Sequence, residues 1–201
     1  MGSKEKILVA ALLLFNRSGT RPVTTNHIAK EAGVSPGNLY YHFANKQEII
    51  REIFSQMSSL FDKITPSGSI LPGSLEALDQ AFRQITEAEW EYRFLQKEMV
   101  TLIEQDPLLK DLFLERQNAR IVGIESCIRA MIELGLVCSL DEAMIGRLTQ
   151  VIWLVAIFWN PYLMLKGEPV TRARISEGIE LIRLVISPYL VAEKTAAIMS
   201  V

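Results

Sequence analysis

Helical periodicity runs through almost the whole chain, and this feature restricts the fold more than any other. Apolar residues recur three and four positions apart, and no segment alternates polar and apolar residues as a half-buried strand does. In the first stretch Ile7, Ala11 and Phe15 form one stripe, whereas Val9 and Leu13 fall on the other side. We therefore predict an all-α protein whose first helix has neighbours on both faces.

Composition and charge narrow the class of protein further. Hydrophobic residues make up 49% and charged residues 22% of the 201 residues, as in packed globular domains and unlike disordered or collagen-like chains. Residues 1–63 carry eight Lys/Arg against five Asp/Glu, whereas residues 64–201 carry thirteen against eighteen. A basic head on an acidic body favours a polyanionic partner at the N-terminal end.

Few residues are available for chemistry. The two cysteines, Cys127 and Cys138, cannot form a disulfide framework, and because neither lies in a C-x-x-C pair and the chain has two histidines, no zinc cluster is expected. We expect both thiols to be buried in a reducing compartment, and we expect no metal and no cofactor. Because no nucleophile–base pair or phosphate loop is recognisable either, an enzyme is not predicted.

Two apolar runs imitate membrane segments. Residues 7–15 lack the flanks of a signal peptide, and residues 151–159 are far shorter than the roughly 20 residues that a membrane span needs. We interpret both as buried helices and predict a cytoplasmic protein without a membrane partner.

Capping residues and glycines predict the helix boundaries. A second helix begins near residues 24–25 and ends at Gly33, a short third helix follows Ser35, and Asn45 opens a fourth through a capping box with Glu48. Residues 65–74, rich in Pro, Gly and Ser, mark the best boundary between domains. Further helices are predicted at about 75–89, 92–105, 108–135, 141–165 and 172–190. The predicted domains are 1–63 and 64–201.

A helix-turn-helix arrangement is the strongest functional signal. Two short helices meet at residues 32–35, where Gly33 permits a left-handed conformation. Leu39 and Phe43 lie four positions apart on the side that suits the core. Their neighbours form an outward face of small and hydroxyl-bearing residues that suits contact with DNA, namely Gly37, Asn38, Tyr40 and Tyr41.

These residues resemble the DNA-binding domain of the TetR family of bacterial transcriptional regulators. The resemblance is carried by Ile7–Phe15 with Gly19, Thr24-Thr25, Ile28-Ala29, Ala32-Gly33-Val34-Ser35, Leu39-Tyr40-Tyr41-His42-Phe43 and Asn45-Lys46. It implies a three-helix DNA-binding domain joined by a long helix to a larger helical ligand-binding and dimerisation domain. It also implies a homodimer that binds a palindromic double-stranded operator and is released by a small molecule.

The resemblance assigns DNA contacts by position. They are Thr25, Asn26, Ser35, Gly37, Asn38, Tyr40, Tyr41, His42 and Lys46, with Lys46 holding a phosphate. Pro36 departs from the family, because it stands where a member carries a base-reading amide. Two alternatives stay open, since His42 also fits the edge of the core and Tyr41 also fits a partly buried ring.

The predicted body offers a dimer seam and a ligand site. Residues 148–165 are apolar almost all round and need a cover that a second subunit supplies, although burial within one subunit is the alternative. The seam residues are Phe158, Ile175, Ile179, Ile182 and Ile186. Charges inside apolar faces indicate a pocket for a hydrophobic or amphipathic effector, internal ion pairs, or guanidinium groups that reach solvent past the rim of the face. The candidates are Glu98, Arg116 and Arg120 with the aromatic walls Trp90, Tyr92, Phe113, Trp153 and Trp159.

The function predicted from these features is a ligand-responsive transcriptional repressor. The alternative is a DNA-bound adaptor whose body docks a protein and takes no small molecule.

Overall fold

The computed structural model describes residues 1–64 and 75–191 of the chain, without the side chains of residues 75–79. This part of the chain is helical almost throughout, which confirms the predicted all-α class. Its helices are α1 (Ser3–Ser18), α2 (Thr25–Ala32), α3 (Pro36–His42), α4 (Lys46–Ile64), α5 (Leu75–Glu91), α6 (Arg93–Gln105), α7 (Pro107–Glu133), α8 (Glu142–Leu165) and α9 (Arg172–Ile186). A 3₁₀ turn, Ser187–Tyr189, follows α9. The boundary predicted at residues 65–74 lies outside the described residues.

Packing divides the chain into two compact units that interleave along the sequence. The first consists of Met1–Ser59 and Tyr92–Leu112, and the second of Leu60–Glu91 and Phe113–Val201. By packing, α6 thus belongs with the N-terminal helices, although it follows them by about thirty residues. The predicted division into domains 1–63 and 64–201 stays a prediction.

The first unit is built around α1. Its stripe of Ile7, Ala11 and Phe15 is buried, and the Phe15 ring lies 5.1 Å from the ring of Phe94 in α6. Val9 and Leu13 are each 53% exposed, so the expectation that α1 has neighbours on both faces is wrong for the described residues. Helix α6 contacts the buried stripe through Phe94, and α1 also packs against α2 and α3.

Local capping fixes where α4 begins. The Asn45 side chain accepts a hydrogen bond from the backbone N–H of Glu48 at 2.9 Å, as the sequence predicts. The Glu48 carboxylate, however, accepts from the N–H of Ala44 at 2.6 Å rather than from that of Asn45. The acidic half of the predicted capping box therefore reaches one residue further back.

The second unit is centred on α8. A cluster of buried aliphatic side chains joins α7, α8 and α9. Its members are Ile128, Ile145, Leu148, Ile152 and Ile182. Helix α8 continues through Pro161 to Leu165. Among the described helices it alone has the length and composition of a membrane span, a test that core helices of soluble proteins also pass.

Candidate nucleic-acid interface

The turn between α2 and α3 forms as its residues predict. Gly33 ends α2 in the left-handed conformation, with φ 65° and ψ 36°. Ser35 then caps α3, because its hydroxyl accepts a hydrogen bond from the N–H of Asn38 at 3.2 Å. Pro36 occupies the first turn of α3, where its missing N–H has no helical partner to lose.

A reciprocal cap that the sequence analysis missed begins α2. The Thr24 hydroxyl accepts from the N–H of His27 at 3.3 Å, and the N–H of Thr24 donates to Nδ1 of His27 at 3.4 Å. Histidine is an unusual partner in this motif, which normally uses Glu or Gln at the third helical position. The signal was therefore in the sequence, but in a residue type that the motif does not include.

Helix α3 presents the predicted outward face. Leu39 and Phe43 are buried and fix the helix on the core. Asn38, Tyr40 and Tyr41 are exposed, and at 83% exposure Tyr41 is not the partly buried ring of the alternative interpretation. The face therefore offers an amide and two phenol groups outward.

One hydrogen bond links the two helices of the motif on this face. The hydroxyls of Thr25 and Tyr40 lie 3.0 Å apart, so the first turn of α2 orients a side chain of α3. His42 is half-buried, and its ring meets the Tyr41 ring edge-on at 5.1 Å. Its exposure thus lies between that of a DNA contact and that of a residue at the edge of the core. Asn26, Ser35 and Gly37 are exposed. The structure thus brings the predicted DNA contacts of α2 and α3 to one motif.

The side chain of Lys46 forms hydrogen bonds with the protein's own backbone. Its ammonium group donates to the carbonyls of Thr20 at 2.7 Å and Val23 at 2.9 Å. Partial burial lowers the pKa of Lys46, and the charge of Glu98 raises it in part. Two of the three ammonium hydrogens are thereby committed to the loop before α2, so a phosphate contact is left to the third.

The predicted ligand-site charges all have protein partners. Arg116 and Arg120 of α7 both contact the Asp62 carboxylate, each at 3.1 Å, and Arg120 also lies over the Phe61 ring at 4.9 Å. Glu98 accepts hydrogen bonds from Thr20. The two arginine contacts are ion pairs within one chain, and they lie near its surface, since the side chains of Arg116 and Asp62 are 41% and 49% exposed.

The predicted aromatic walls are distributed over both units. Tyr92 is buried in the first unit, and the other four lie half-buried in the second. Trp90 carries the Arg172 guanidinium over its ring at 5.5 Å, and the indole N–H of Trp153 donates to Gln117 at 3.3 Å. Phe113, another of the predicted ligand-site aromatics, is the first residue of the second segment of this unit. These contacts hold helices of the unit together.

Trp159 closes the contact between α8 and α9. Its indole N–H donates to the carbonyl of Arg174 at 2.6 Å, and its ring lies across Gly178. A Cβ atom at Gly178 would stand 2.7 Å from Cδ1 of this ring. Trp159 is therefore part of helix packing rather than a demonstrated ligand wall.

The predicted dimer seam stays a prediction, and its residues differ in how exposed they are in the single chain. Ile175, Ile179 and Ile182 are 1%, 8% and 8% exposed, because α9 turns this face into the core of its own chain. Ile186 is partly buried against the same core, and Phe158 is 47% exposed. An uncovered apolar face lies on α8. It consists of Val151, Leu154, Phe158, Tyr162 and Leu165.

Together the fold and this motif define a helix-turn-helix DNA-binding protein of the bacterial regulator class. Residues 7–53 match the bacterial regulatory proteins of the TetR family, and residues 47–198 match the TetR bacterial transcriptional repressors. Since the second match covers more than half of the chain, the chain belongs to the TetR family. The members of this family are transcriptional regulators and not enzymes.

Individual relatives agree with this assignment. A TetR-family regulator from Marinobacter aquaeolei VT8 is 31% identical, with a TM-score of 0.89 over 100% of this chain and 97% of that one. The regulator QacR of Staphylococcus aureus is 44% identical over 55 residues, 27% of this chain and 29% of QacR. The repressor KstR2 of Rhodococcus jostii is 35% identical over 81 residues, 38% of this chain and 40% of KstR2. The chain thus matches less than half the length of these two relatives.

A further neighbour shares the fold alone. SmeT of Stenotrophomonas maltophilia, solved in complex with triclosan, has a TM-score of 0.63 and 16% identity, with 96% of this chain and 93% of that one covered.

Proposed function

We propose that the chain is a cytoplasmic transcriptional repressor that binds a palindromic DNA operator as a homodimer and is released by a small hydrophobic or amphipathic molecule. The exposed face of α3, held on the buried Leu39 and Phe43, is the observation that carries the proposal. Tyr40 and Tyr41 reach phosphates, and Asn38 reads base edges. The remaining contacts come from Thr25, Asn26, Ser35, Gly37, His42 and Lys46.

DNA selection tests this function directly. Duplexes recovered from a random pool by the wild-type protein are expected to contain an inverted repeat, with half-site centres about 34–36 Å apart or somewhat more. Asn38→Ala is expected to lower the sequence specificity, so that the recovered duplexes are more varied. The double variant Tyr40→Ala, Lys46→Ala is expected to bind all duplexes more weakly than the wild type. Unchanged affinity of this double variant would remove the basis of the proposal.

Lys46→Ala alone has two expected effects. Loss of one phosphate contact reduces the slope of log affinity against log salt by about one. Loss of the bonds to Thr20 and Val23 also lowers the thermal stability. A variant that loses stability but keeps the full salt slope would leave Lys46 a structural residue only.

The dimer forms, in this proposal, through the uncovered face of α8. Five apolar side chains at helical spacing stay 41–88% exposed in the single chain, which is unusual for a soluble helix. A second copy of α8 would cover them. This supports the seam predicted for residues 148–165, but with residues of α8 in place of the buried isoleucines of α9.

The effector binds, in this proposal, within the second unit. Triclosan in SmeT is a hydrophobic ligand of one protein with this fold. Because Asp62 already neutralises part of the charge of Arg116 and Arg120, an acidic ligand has to compete with an internal carboxylate. A hydrophobic acid and its methyl ester, titrated against the operator complex, distinguish the possibilities. Stronger release by the acid supports a contact with these arginines, and equal release assigns them to the internal pair.

A further inference from the structure

The loop that connects α1 to α2, residues 19–23, is held from two sides. The N–H of Thr20 donates to Oε1 of Glu98 at 3.1 Å, and its hydroxyl donates to Oε2 at 2.5 Å. The carbonyl of Thr20 accepts from Lys46 at 2.7 Å, so each polar group of this buried residue is engaged. Glu98 lies on α6, 78 positions further along the chain.

Gly19 shows that the loop is shaped around this carboxylate. Its φ of +76° is a conformation that residues with a side chain rarely adopt. A Cβ atom at this position would also stand 2.6 Å from Oε1 of Glu98. The close approach of Glu98 therefore depends on the residue that precedes Thr20.

The loop leads directly into the DNA-facing motif. Residue 23 is followed by Thr24, which caps α2, and Thr25 then shares its hydrogen bond of 3.0 Å with the Tyr40 hydroxyl. Lys46 donates to the carbonyls of both Thr20 and Val23, and the backbone continues from Val23 into α2. Glu98 is thereby linked to an exposed side chain of α3 through Thr20, residues 21–23 of the backbone and the first turn of α2.

Two further contacts keep α6 fixed against the same helices. The Asn16 side chain of α1 accepts from the N–H of Phe94 at 3.1 Å. Arg51 of α4 pairs with Asp106 at 2.6 Å, just after the end of α6. Because three attachments hold α6 to α1, the loop and α4, Glu98 acts from a fixed position.

We propose that Glu98 is a positioning residue for DNA recognition, which sets the place of the Tyr40 hydroxyl through Thr20 and the start of α2. The inference rests on the proposed DNA-binding function. It assigns a role in operator binding to a residue outside the helix-turn-helix segment.

The test uses the full-length protein and a duplex that the wild type selects from a random pool. Glu98→Ala removes both bonds to Thr20, and Thr20→Val removes the hydroxyl bond while keeping the N–H. Each variant is expected to bind the duplex more weakly than the wild type. For Glu98→Ala the affinity is expected to fall by about tenfold, the size of one charge-assisted hydrogen bond. Thr20→Ser and Glu104→Ala are the controls, since the first keeps the hydroxyl and the second removes an exposed carboxylate from α6.

A coupling measurement separates positioning from a general loss of stability. In a Tyr40→Phe background the hydroxyl is absent, so Glu98→Ala is expected to cost little further affinity. An undiminished loss in that background, or wild-type affinity of Glu98→Ala, overturns the inference. Should Glu98→Ala fail to fold, Thr20→Val is carried through the same cycle. A wild-type protein that selects no duplex refutes the proposed function itself.

Discussion

At the scale of single residues, Gly37 has no folding reason to be glycine. Its φ is not among the positive values, and an added Cβ would meet only the Ser35 hydroxyl at 4.0 Å. Helical glycine costs about 0.5–1 kcal/mol relative to alanine. The exposed first turn of α3 therefore gives up stability, which the proposed DNA contact explains by the close approach that a glycine permits.

Gly37→Ala is expected to change stability and DNA affinity in opposite directions. The free energy of unfolding rises by about 0.5–1 kcal/mol, because the helix gains a better former. The operator complex weakens by about 1–3 kcal/mol, the cost of forcing a methyl group into a close contact. Urea unfolding and fluorescence anisotropy measure the two quantities. Equal or tighter DNA binding by this variant would contradict the assignment of α3 as the recognition helix.

The expectation that both cysteine thiols are buried is wrong for Cys138. Cys138 is exposed, whereas burial raises the pKa of Cys127 to about 11. Since the thiolate is the reactive form, Cys127 stays protonated near neutral pH and gains reactivity only as the pH approaches that value. Iodoacetamide is expected to modify one thiol per native chain at neutral pH. Cys138→Ser is expected to abolish this labelling, and mass spectrometry that locates it on Cys127 would contradict the prediction.

At the scale of helices, local signals predicted the boundaries well. Gly33 ends α2, Ser35 caps α3, and the predicted ends of the later helices fall within a few residues of the structure. These signals work because capping and left-handed glycine depend on neighbouring residues only. The predicted length exceeds the observed length most for α9, because the residues around Pro188, predicted as its last turn, form a 3₁₀ turn.

Which neighbour covers a helix face could not be predicted in the same way. Periodicity correctly identified the apolar stripe Ile175, Ile179 and Ile182, but it does not say whether the cover is the same chain or a second one. Likewise Glu98 was recognised as a charge in an apolar stripe. Its partner Thr20 lies 78 positions away and only the fold brings the two together.

The contact between α8 and α9 gives a prediction with an internal control. Gly178→Ala is expected to lower the free energy of unfolding by about 1–3 kcal/mol, because its Cβ would overlap the Trp159 ring. Gly146, a helical glycine of α8 rather than α9, has nothing within 4 Å of an added Cβ. Gly146→Ala is therefore expected to stabilise the protein by about 0.5–1 kcal/mol. Equal shifts of both variants in urea unfolding would show that Trp159 does not restrict this position.

At the scale of the whole molecule, the proposed dimer depends on the exposed face of α8. Val151, Leu154, Phe158, Tyr162 and Leu165 follow one another by three or four positions and therefore form a single stripe. The buried isoleucines of α9 lie on a different surface, since they already pack inside the chain. The two sets of residues thus respond differently to the same substitution.

The wild-type protein is expected to be a dimer at micromolar concentration. Phe158→Glu places an unpaired carboxylate in the proposed seam, at a cost of several kcal/mol, and is expected to give a folded monomer with the helical circular dichroism of the wild type. Ile182→Glu places the same group in the chain's own core, so it is expected to unfold the second unit. Gln150→Glu is the control, because this exposed position of α8 lies beside the stripe. Sedimentation velocity with circular dichroism distinguishes the three outcomes. A monomeric wild type, or a Phe158→Glu variant that remains dimeric, would exclude this face of α8 as the seam. Operator binding by two recognition helices would then need another arrangement of subunits.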